Sequence, residues 1–367
     1  MNKKKRILIC GILPPPNFGH SMTYQMLMRS RFVEEFDVIF LNMNFWTYGK
    51  HKKITIDKLL KLFKYYVQFV WRVLLRRPDF ILYNMSFYKM PFLKDVLFCF
   101  TGRLLGCRYV IHDMGKYVRE LYDTGSWMTK KMVRLYLRWA AASIIQGECV
   151  RVFYDGLMDQ KKLWVVPGCV EDTQGWDVPV LEKNGKLNVL YFSFLSEDKG
   201  VYTAFSAARK VLVKSPEVRF VFVGPVESDR VRKELDALCE QFPDNTQYLG
   251  YVDDAGKRTA CFRSADIFMF PTHRECFGLV LLHAMAERLP VIASIEGAIP
   301  EVIREGENGF LINKGDDEQL VERIFRLVNS RSLRETMGQV NRQRYLKAYS
   351  LREYGRKMIE TFEGIAG

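Results

Sequence analysis

No uncharged run among the 367 residues reaches the roughly 20 apolar residues that a membrane-spanning helix needs. A helical membrane span is therefore not expected. The eight cysteines, Cys10, Cys99, Cys107, Cys149, Cys169, Cys239, Cys261 and Cys276, include no Cys-x-x-Cys pair, and several lie in apolar runs. That argues against a zinc site and a disulfide framework, and fits a reduced, cytosolic protein. There is no acidic cluster shaped for a metal, no internal repeat and no nucleic-acid recognition motif. The start, Met1-Asn-Lys-Lys-Lys-Arg followed by Ile7 to Leu13, mimics a short signal peptide. Pro14-Pro15-Pro16 ends it with no small-residue cleavage site nearby, so it is read as a first strand.

What is present is length for two domains and enough apolar residues, 48%, to bury two cores. The net charge of +13 is unevenly spread: residues 1–177 hold 28 Lys and Arg against 15 Asp and Glu, and residues 178–367 hold 27 of each. An anionic surface or substrate is expected for the first half only, with a solvated basic surface as the alternative. Strand and helix patterns alternate through both halves. That is the signature of an α/β protein with two doubly wound parallel sheets.

In the first half, strands are expected at Arg6–Leu13, Phe36–Asn42, Phe80–Tyr83, Arg108–Ile111, Ser143–Ile145 and Leu163–Val166. The first is followed by a rigid turn, Pro14 to Ser21, in which Gly19 allows close backbone approach, and by a helix from about Ser21 or Thr23. Between Lys50 and Arg77 the residues Lys58, Lys61, Tyr65, Gln68, Arg72 and Arg76 form one polar stripe, and Leu59, Phe63, Val67, Trp71 and Leu74 are among the apolar residues filling the rest. The segment reads as a layer helix exposing a basic face, as a helix lying on an anionic bilayer, or as both. Phe87 to Phe100 is aromatic and carries Lys89 and Lys94; it is core or a second membrane-facing patch. A further basic helix, Ser126 to Ala141, carries Lys130, Lys131, Arg134 and Arg138.

The second half centres on Pro271 to Pro300. An apolar strand ends at Pro271, a short loop carries Glu275, and a helix opens at Phe277-Gly278-Leu279 and runs to about Arg288. Free amides at a helix start suit a phosphate, and a carboxylate suits sugar hydroxyls. One loop could thus hold both halves of a nucleotide-sugar. Earlier, the strand Val189–Leu195 leads to Ser196-Glu-Asp-Lys199-Gly200, and the short strand Tyr248–Val252 precedes a helix at Asp253–Ser264. His283 lies four residues before Glu287, so a local helix pair is one expectation for it.

Glu275-Cys-Phe-Gly-Leu-Val-Leu-Leu-His283-Ala-Met-Ala, continued by Pro290-Val-Ile-Ala-Ser and Gly297-Ala-Ile-Pro-Glu301, resembles the signature of retaining glycosyltransferases of family 4, which have the GT-B fold. The resemblance implies two Rossmann-like domains facing each other across a cleft: an acceptor-binding domain at 1–175, a nucleotide-sugar-binding domain at 176–345 and a C-terminal helix at 346–367 that crosses back. It implies that Glu275 contacts the donor sugar, that Lys199 holds the pyrophosphate with the amides of Phe277, Gly278 and Leu279, that His112 lies near the sugar, that the Gly19 loop faces donor phosphates and acceptor, and that Val252 borders the base. Two positions depart from the family pattern. His283 stands where a glutamate binds ribose, and Phe194 stands where an arginine is usual. Ribose contact by His283 is the other expectation for that residue.

The reaction so implied moves a sugar from a nucleoside diphosphate to a glycan or polyprenyl- or lipid-linked acceptor, with retention and without a metal or other cofactor, in cell-surface polysaccharide or lipopolysaccharide assembly. The expected setting is cytoplasmic, peripheral at the anionic inner face of the plasma membrane, with no nucleic-acid partner. The alternative is a non-catalytic relative that binds lipid-linked glycan or scaffolds a partner transferase.

Overall fold

The computed structural model describes residues 4–15, 19–45, 56–115, 117–180 and 185–366, which divide into two compact units: residues 4–168 with 351–366, and residues 169–350. The first unit contains β1 (Arg6–Gly11), α1 (Gly19–Arg29), α2 (Phe32–Glu35), β2 (Asp37–Asn42), α3 (Ile56–Arg76), β3 (Phe80–Asn84), α4 (Lys89–Leu104), β4 (Arg108–Asp113), α5 (Val118–Thr124), α6 (Trp127–Trp139), β5 (Ala142–Ile145) and β6 (Leu163–Val165). Its six strands are parallel, in the order β2-β1-β3-β4-β5-β6. Parallel neighbours need crossover helices on the sheet faces, so the central strands are covered on both sides. Accordingly Ile7, Leu8, Ile9 and Cys10 of β1 are all fully buried.

The second unit contains β7 (Leu187–Phe192), α7 (Val201–Leu212), β8 (Val218–Val223), α8 (Asp229–Gln241), β9 (Thr246–Tyr248), α9 (Ala255–Arg263), β10 (Ile267–Phe270), α10 (Leu279–Ala286), β11 (Val291–Ser294), α11 (Ile299–Val302), β12 (Gly309–Ile312), α12 (Asp317–Val328) and α13 (Arg331–Ala348). This sheet is also parallel, ordered β12-β11-β10-β7-β8-β9. After a break at Tyr349 and Ser350, α14 (Leu351–Ala366) belongs to the first unit. Phe362 packs there against Phe32, Phe36 and Phe80, with ring centroids 5.4, 5.9 and 5.6 Å away.

The chain divides after Gly168, ahead of the expected boundary at 175. Polar ties explain where it falls. Arg342, 8% exposed at its side chain, donates to both oxygens of Asp172 at 2.8 and 2.7 Å. Tyr345 donates to the Val170 carbonyl at 3.0 Å, and Arg263 donates to the carbonyls of Thr173 and Trp176 at 2.8 Å each. Residues 170–176 are thereby fixed to the second unit. The Asp172 side chain is 40% exposed and can be resolvated, so losing Arg342 costs chiefly its hydrogen bonds to Asp172, Gln174 and the Ala286 carbonyl. Arg342→Ala is therefore expected to destabilise the protein by about 1–2 kcal/mol, as chemical denaturation would show.

Several elements are shorter than expected. The first strand stops at Gly11, not Leu13; β7 runs Leu187–Phe192, not Val189–Leu195; β9 ends at Tyr248, so Val252 lies in the following loop. Conversely, α1 begins at Gly19, before Ser21. Pro16 to Phe18 and the segment 46–55 lie outside the described residues. In each shortened strand the apolar run outlasts the ladder: hydropathy continues into a loop that turns over the sheet edge.

The largest correction concerns α3. The layer-helix reading had a basic face outward, but it is the apolar stripe that faces solvent. Phe69 and Val73 are buried, and Tyr66 packs on Phe98 and bonds the Thr101 hydroxyl at 2.9 Å. Phe63 and Trp71 are 70% and 63% exposed. Lys61 is drawn into a pair with Asp57 at 3.0 Å, and Arg72 turns back to the Gln68 carbonyl. Tyr66 and Phe69 pack against Phe98 of α4, so the side carrying Phe63, Val67 and Trp71 is the one left over. In the segment Phe87 to Phe100, Phe92 and Phe98 are buried in α4, as the core reading expects, whereas Leu93 and Leu97 are exposed.

Candidate active site

The second sheet reverses its direction of growth between β10 and β7, because β8 is added on one side of β7 and β10 on the other. Crossovers diverge at such a point and leave a crevice at the carboxyl ends of the strands. Lys199 follows β7 and Glu275 follows β10, so the topology alone brings these two residues together.

Three loops interlock there. The amides of His273 and Arg274 donate to the Asp198 carbonyl at 2.9 and 3.0 Å, and the Thr272 hydroxyl reaches it at 3.2 Å. Gly200 has φ +69°, and a Cβ on it would stand 1.7 Å from the Pro271 carbonyl oxygen. From the loop after β11, the Ala298 amide donates to the Cys276 carbonyl at 2.7 Å. Gly297 (φ +51°) presses on the same segment, where a Cβ would lie 2.4 and 2.6 Å from the carbonyl oxygens of Cys276 and Glu275. Only glycine permits these approaches.

Inside this lock the Lys199 ammonium donates to Glu275 Oε2 at 2.9 Å and to the Arg274 carbonyl at 3.0 Å. The other carboxylate oxygen of Glu275 accepts from the Cys276 amide at 3.0 Å. Both side chains remain partly exposed, at 25% and 20%. The sequence reading gave the two residues separate ligands; in the structure they are each other's partner. An anion arriving at Lys199 therefore competes with Glu275, and its arrival frees a carboxylate oxygen for a hydroxyl donor.

Helix α10 starts at Leu279, with Gly278 as its left-handed cap (φ 82°), and stops at Ala286. The expected helix from Phe277 to Arg288 is thus trimmed at both ends. Phe277 is buried and precedes the first turn. The first-turn amides keep the positive end of the helix dipole close to Glu275.

His283 sits on α10 with its ring stacked on Phe262, 5.6 Å between centroids and 29° between planes. Burial, with a smaller contribution from Arg258, pulls its pKa down to about 3, so the imidazole is neutral near pH 7. The expected pair with Glu287 does not form, because that carboxylate bonds the Thr173 hydroxyl at 2.6 Å and Arg263 at 3.1 Å. Phe194 exposes 43% of its surface. Sequence reasoning missed Arg258: its Nε is buried without a hydrogen-bond partner, and burial lowers its pKa despite the nearby Asp253, Asp254 and Glu171. No motif marked it.

The first unit holds the other candidates. Gly19 opens α1 after β1. His112 lies in β4, 1% exposed, with Nδ1 3.2 Å from the Tyr24 hydroxyl. Burial, helped by His20, lowers its pKa to about 3. Beside it, burial raises Asp113 to about 7, although bonds from Tyr154 at 2.7 Å and the Gly115 amide at 2.9 Å favour its charge. Asn84, paired in register with His112, has a buried Oδ1 without a partner. It ends β3 and was also missed, since a strand-terminal asparagine carries no signal by itself.

These shifts have opposite consequences for stability. The depressed His112 pKa gives stability that is present above pH 6.5 and lost as pH falls toward 3; the raised Asp113 pKa gives stability present below pH 3.8 and lost as pH rises through 7. Asp113 is common to wild type and His112→Asn, so it cancels in their difference. The wild type's stability relative to that variant is expected to shrink by about 2–3 kcal/mol between pH 6.5 and pH 4.5, measurable by urea denaturation at both values.

The two sheets define the fold of the GT-B glycosyltransferases. A sucrose-phosphate synthase from Thermosynechococcus elongatus superimposes with a TM-score of 0.78 at 17% identity, covering 99% of both chains. Anabaena HepE in complex with UDP-glucose gives 0.74 at 16%, covering 98% of this chain and 99% of that one. In sequence, residues 173–344, just under half of the chain, match the model of the glycosyl transferases group 1. A similar protein is the capsular polysaccharide biosynthesis glycosyltransferase CapM of Staphylococcus aureus, 32% identical over 168 residues. That match spans 46% of this chain and 43% of CapM, so the chain spans less than half the length of this curated relative.

Proposed function

We propose that the protein is a retaining, metal-independent glycosyltransferase that moves a sugar from a nucleoside-diphosphate-sugar to a glycan or lipid-linked acceptor in cell-surface polysaccharide assembly. The observation that carries this is the three-loop lock at the switch point of the second sheet, within the group 1 stretch. There Lys199, Glu275 and the start of α10 stand together. In the reaction the bond from the anomeric carbon to the diphosphate oxygen breaks, and the acceptor oxygen forms its bond on the same face. Negative charge grows on the diphosphate, which takes up the acceptor's proton. Lys199 and the first-turn amides of α10 stabilise that charge, and Glu275 orients the sugar hydroxyls rather than attacking. His283 and Val252 are assigned to the ribose and base, while His112 and the Gly19 turn are assigned to the sugar and the acceptor. The UDP-glucose bound by HepE and the capsular polysaccharide role in CapM's name support the donor and acceptor classes.

No described helix is long and apolar enough to cross a membrane. We assign the protein to the anionic inner membrane face, which the basic first half supports. Thermal unfolding with a panel of nucleoside diphosphates and their sugars tests the donor reading. A nucleotide-sugar at about a hundred times its Kd is expected to add about 2.7 kcal/mol, more than its bare nucleotide at the same concentration. If nothing on a broad panel binds, the non-catalytic alternative replaces the transferase.

A further inference from the structure

Helices α3, α4 and α6 lie side by side on one face of the first sheet. Tyr66 and Phe69 of α3 meet Phe98 of α4 at 5.5 and 5.1 Å, and Phe100 of α4 meets Trp139 of α6 at 4.8 Å. The inner sides of the three helices are thus occupied, and their outer sides are not covered by any described residue. Along α3 the exposed apolar residues are Ile56, Leu59, Leu60, Phe63, Val67 and Trp71, continuing to Leu74 and Leu75, with Asp57, Lys64 and Arg76 also exposed. The spacing of three and four makes one unbroken apolar stripe over five turns. Leu93, Leu97 and Leu104 continue the surface on α4, and Trp127 and Met128 on α6.

The same layer is strongly basic. The three helices carry five, three and four Lys and Arg residues respectively, against Asp57 and Asp95. Asp95 is buried and held by Tyr83, Ser86 and Lys94. At the end of the stripe a hollow of about 720 Å³ is lined by Val73, Leu74, Arg77, Asp79, Leu105 and Arg108. Asp79 accepts from the Arg6 amide, while Arg108 stacks on Phe80 at 4.3 Å.

We propose that this face is a membrane-docking surface, with the α3 stripe seated in the interface of an anionic phospholipid bilayer and the arginines of the adjoining hollow receiving lipid phosphates. Charge complementarity selects this occupant over a second copy of the chain. Pairing the face with itself would oppose like charges, since Lys64, Arg76, Arg103, Lys131, Arg134 and Arg138 are exposed on these helices, whereas an anionic bilayer takes both the apolar stripe and the charge. The proposal rests on the peripheral membrane reading above and names the surface that performs it.

The test is flotation of the full chain with vesicles of phosphatidylcholine containing one third phosphatidylglycerol, and with pure phosphatidylcholine, at low and high salt. The wild type is expected to float with the anionic vesicles at low salt and to bind pure phosphatidylcholine at least about tenfold more weakly, since each cation near the surface adds roughly fivefold. Phe63→Glu with Trp71→Glu is expected to weaken anionic-vesicle binding by at least about thirtyfold. Both residues are exposed, so the melting temperature should not change. Absence of wild-type binding at low salt overturns the proposal, as does wild-type binding by the double variant. A dimer that the double variant splits, without vesicle binding, also overturns it and assigns the face to a second copy. Measuring the nucleotide-sugar thermal shift on the same samples separates the two readings. A shift without vesicle binding removes the docking surface alone, and vesicle binding without a shift removes the transferase alone.

Discussion

Glu275→Gln is expected to lower sugar transfer by about 10²–10³-fold, the cost typical of removing one preorganised polar group from a reacting centre, while changing folding stability by about 1 kcal/mol or less. The asymmetry follows from the geometry. The carboxylate and Lys199 are partly exposed, so their 2.9 Å ion pair contributes little to the fold. In the proposed reaction the same two groups have separate tasks, one on the sugar and one on the diphosphate. Lys199→Ala should reduce transfer comparably. The double variant should lose much less than the product of the single losses, because each single change leaves the other charge without its partner. Single-turnover rates with the nucleotide-sugar found by thermal shift would show this. Equal rates for wild type and Glu275→Gln would remove Glu275 from the reaction.

The second large effect is on the scaffold of the site. Gly200→Ala is expected to destabilise the protein by about 3 kcal/mol or more, through a strained positive φ and a severe steric overlap together. The added carbon would stand 1.7 Å from the Pro271 carbonyl, at a backbone φ of +69°. Gly156→Ala is the matched control: it has φ +70° with open space around it, so only the backbone cost, about 1–2 kcal/mol, applies. The two variants should differ further in donor binding. Gly200 sits where the loop of Lys199 meets the loop of Glu275, and pushing these apart should weaken the nucleotide-sugar thermal shift. Gly156→Ala should leave that shift intact. Equal destabilisation by both changes would mean that the loops yield freely and that the lock does not position the site.

Much of this was legible in the residues. Buried parallel strands are continuous apolar runs, so Ile7 to Cys10, Phe220 to Val223 and Ile267 to Phe270 announce themselves. The loop carrying Glu275 is bounded by Pro271 before it and a glycine-capped helix after it, and both are local signals. Strand ends were less legible, as at Leu195 and Val252, because hydropathy does not record where a ladder stops. Asn84 and Arg258 were not legible at all, since a buried atom without a partner is a property of the surroundings and not of the residue.

Local sequence determined the α/β alternation, the two sheets, the confinement of excess charge to the first half and the identity of the chemical groups at the strand ends. These depend on periodicity and composition, which neighbouring residues fix among themselves. Tertiary structure alone decided which groups meet. Lys199 and Glu275 are 76 residues apart and pair because two crossovers diverge between β7 and β10. Asp172 and Arg342, 170 residues apart, set where the second unit begins. It also decided which side of α3 faces outward. An amphipathic helix offers two faces, and its own sequence cannot say which one the neighbouring layer will fill. Here the ring of Phe98 took the side of Tyr66 and Phe69, and left Phe63 and Trp71 to the solvent.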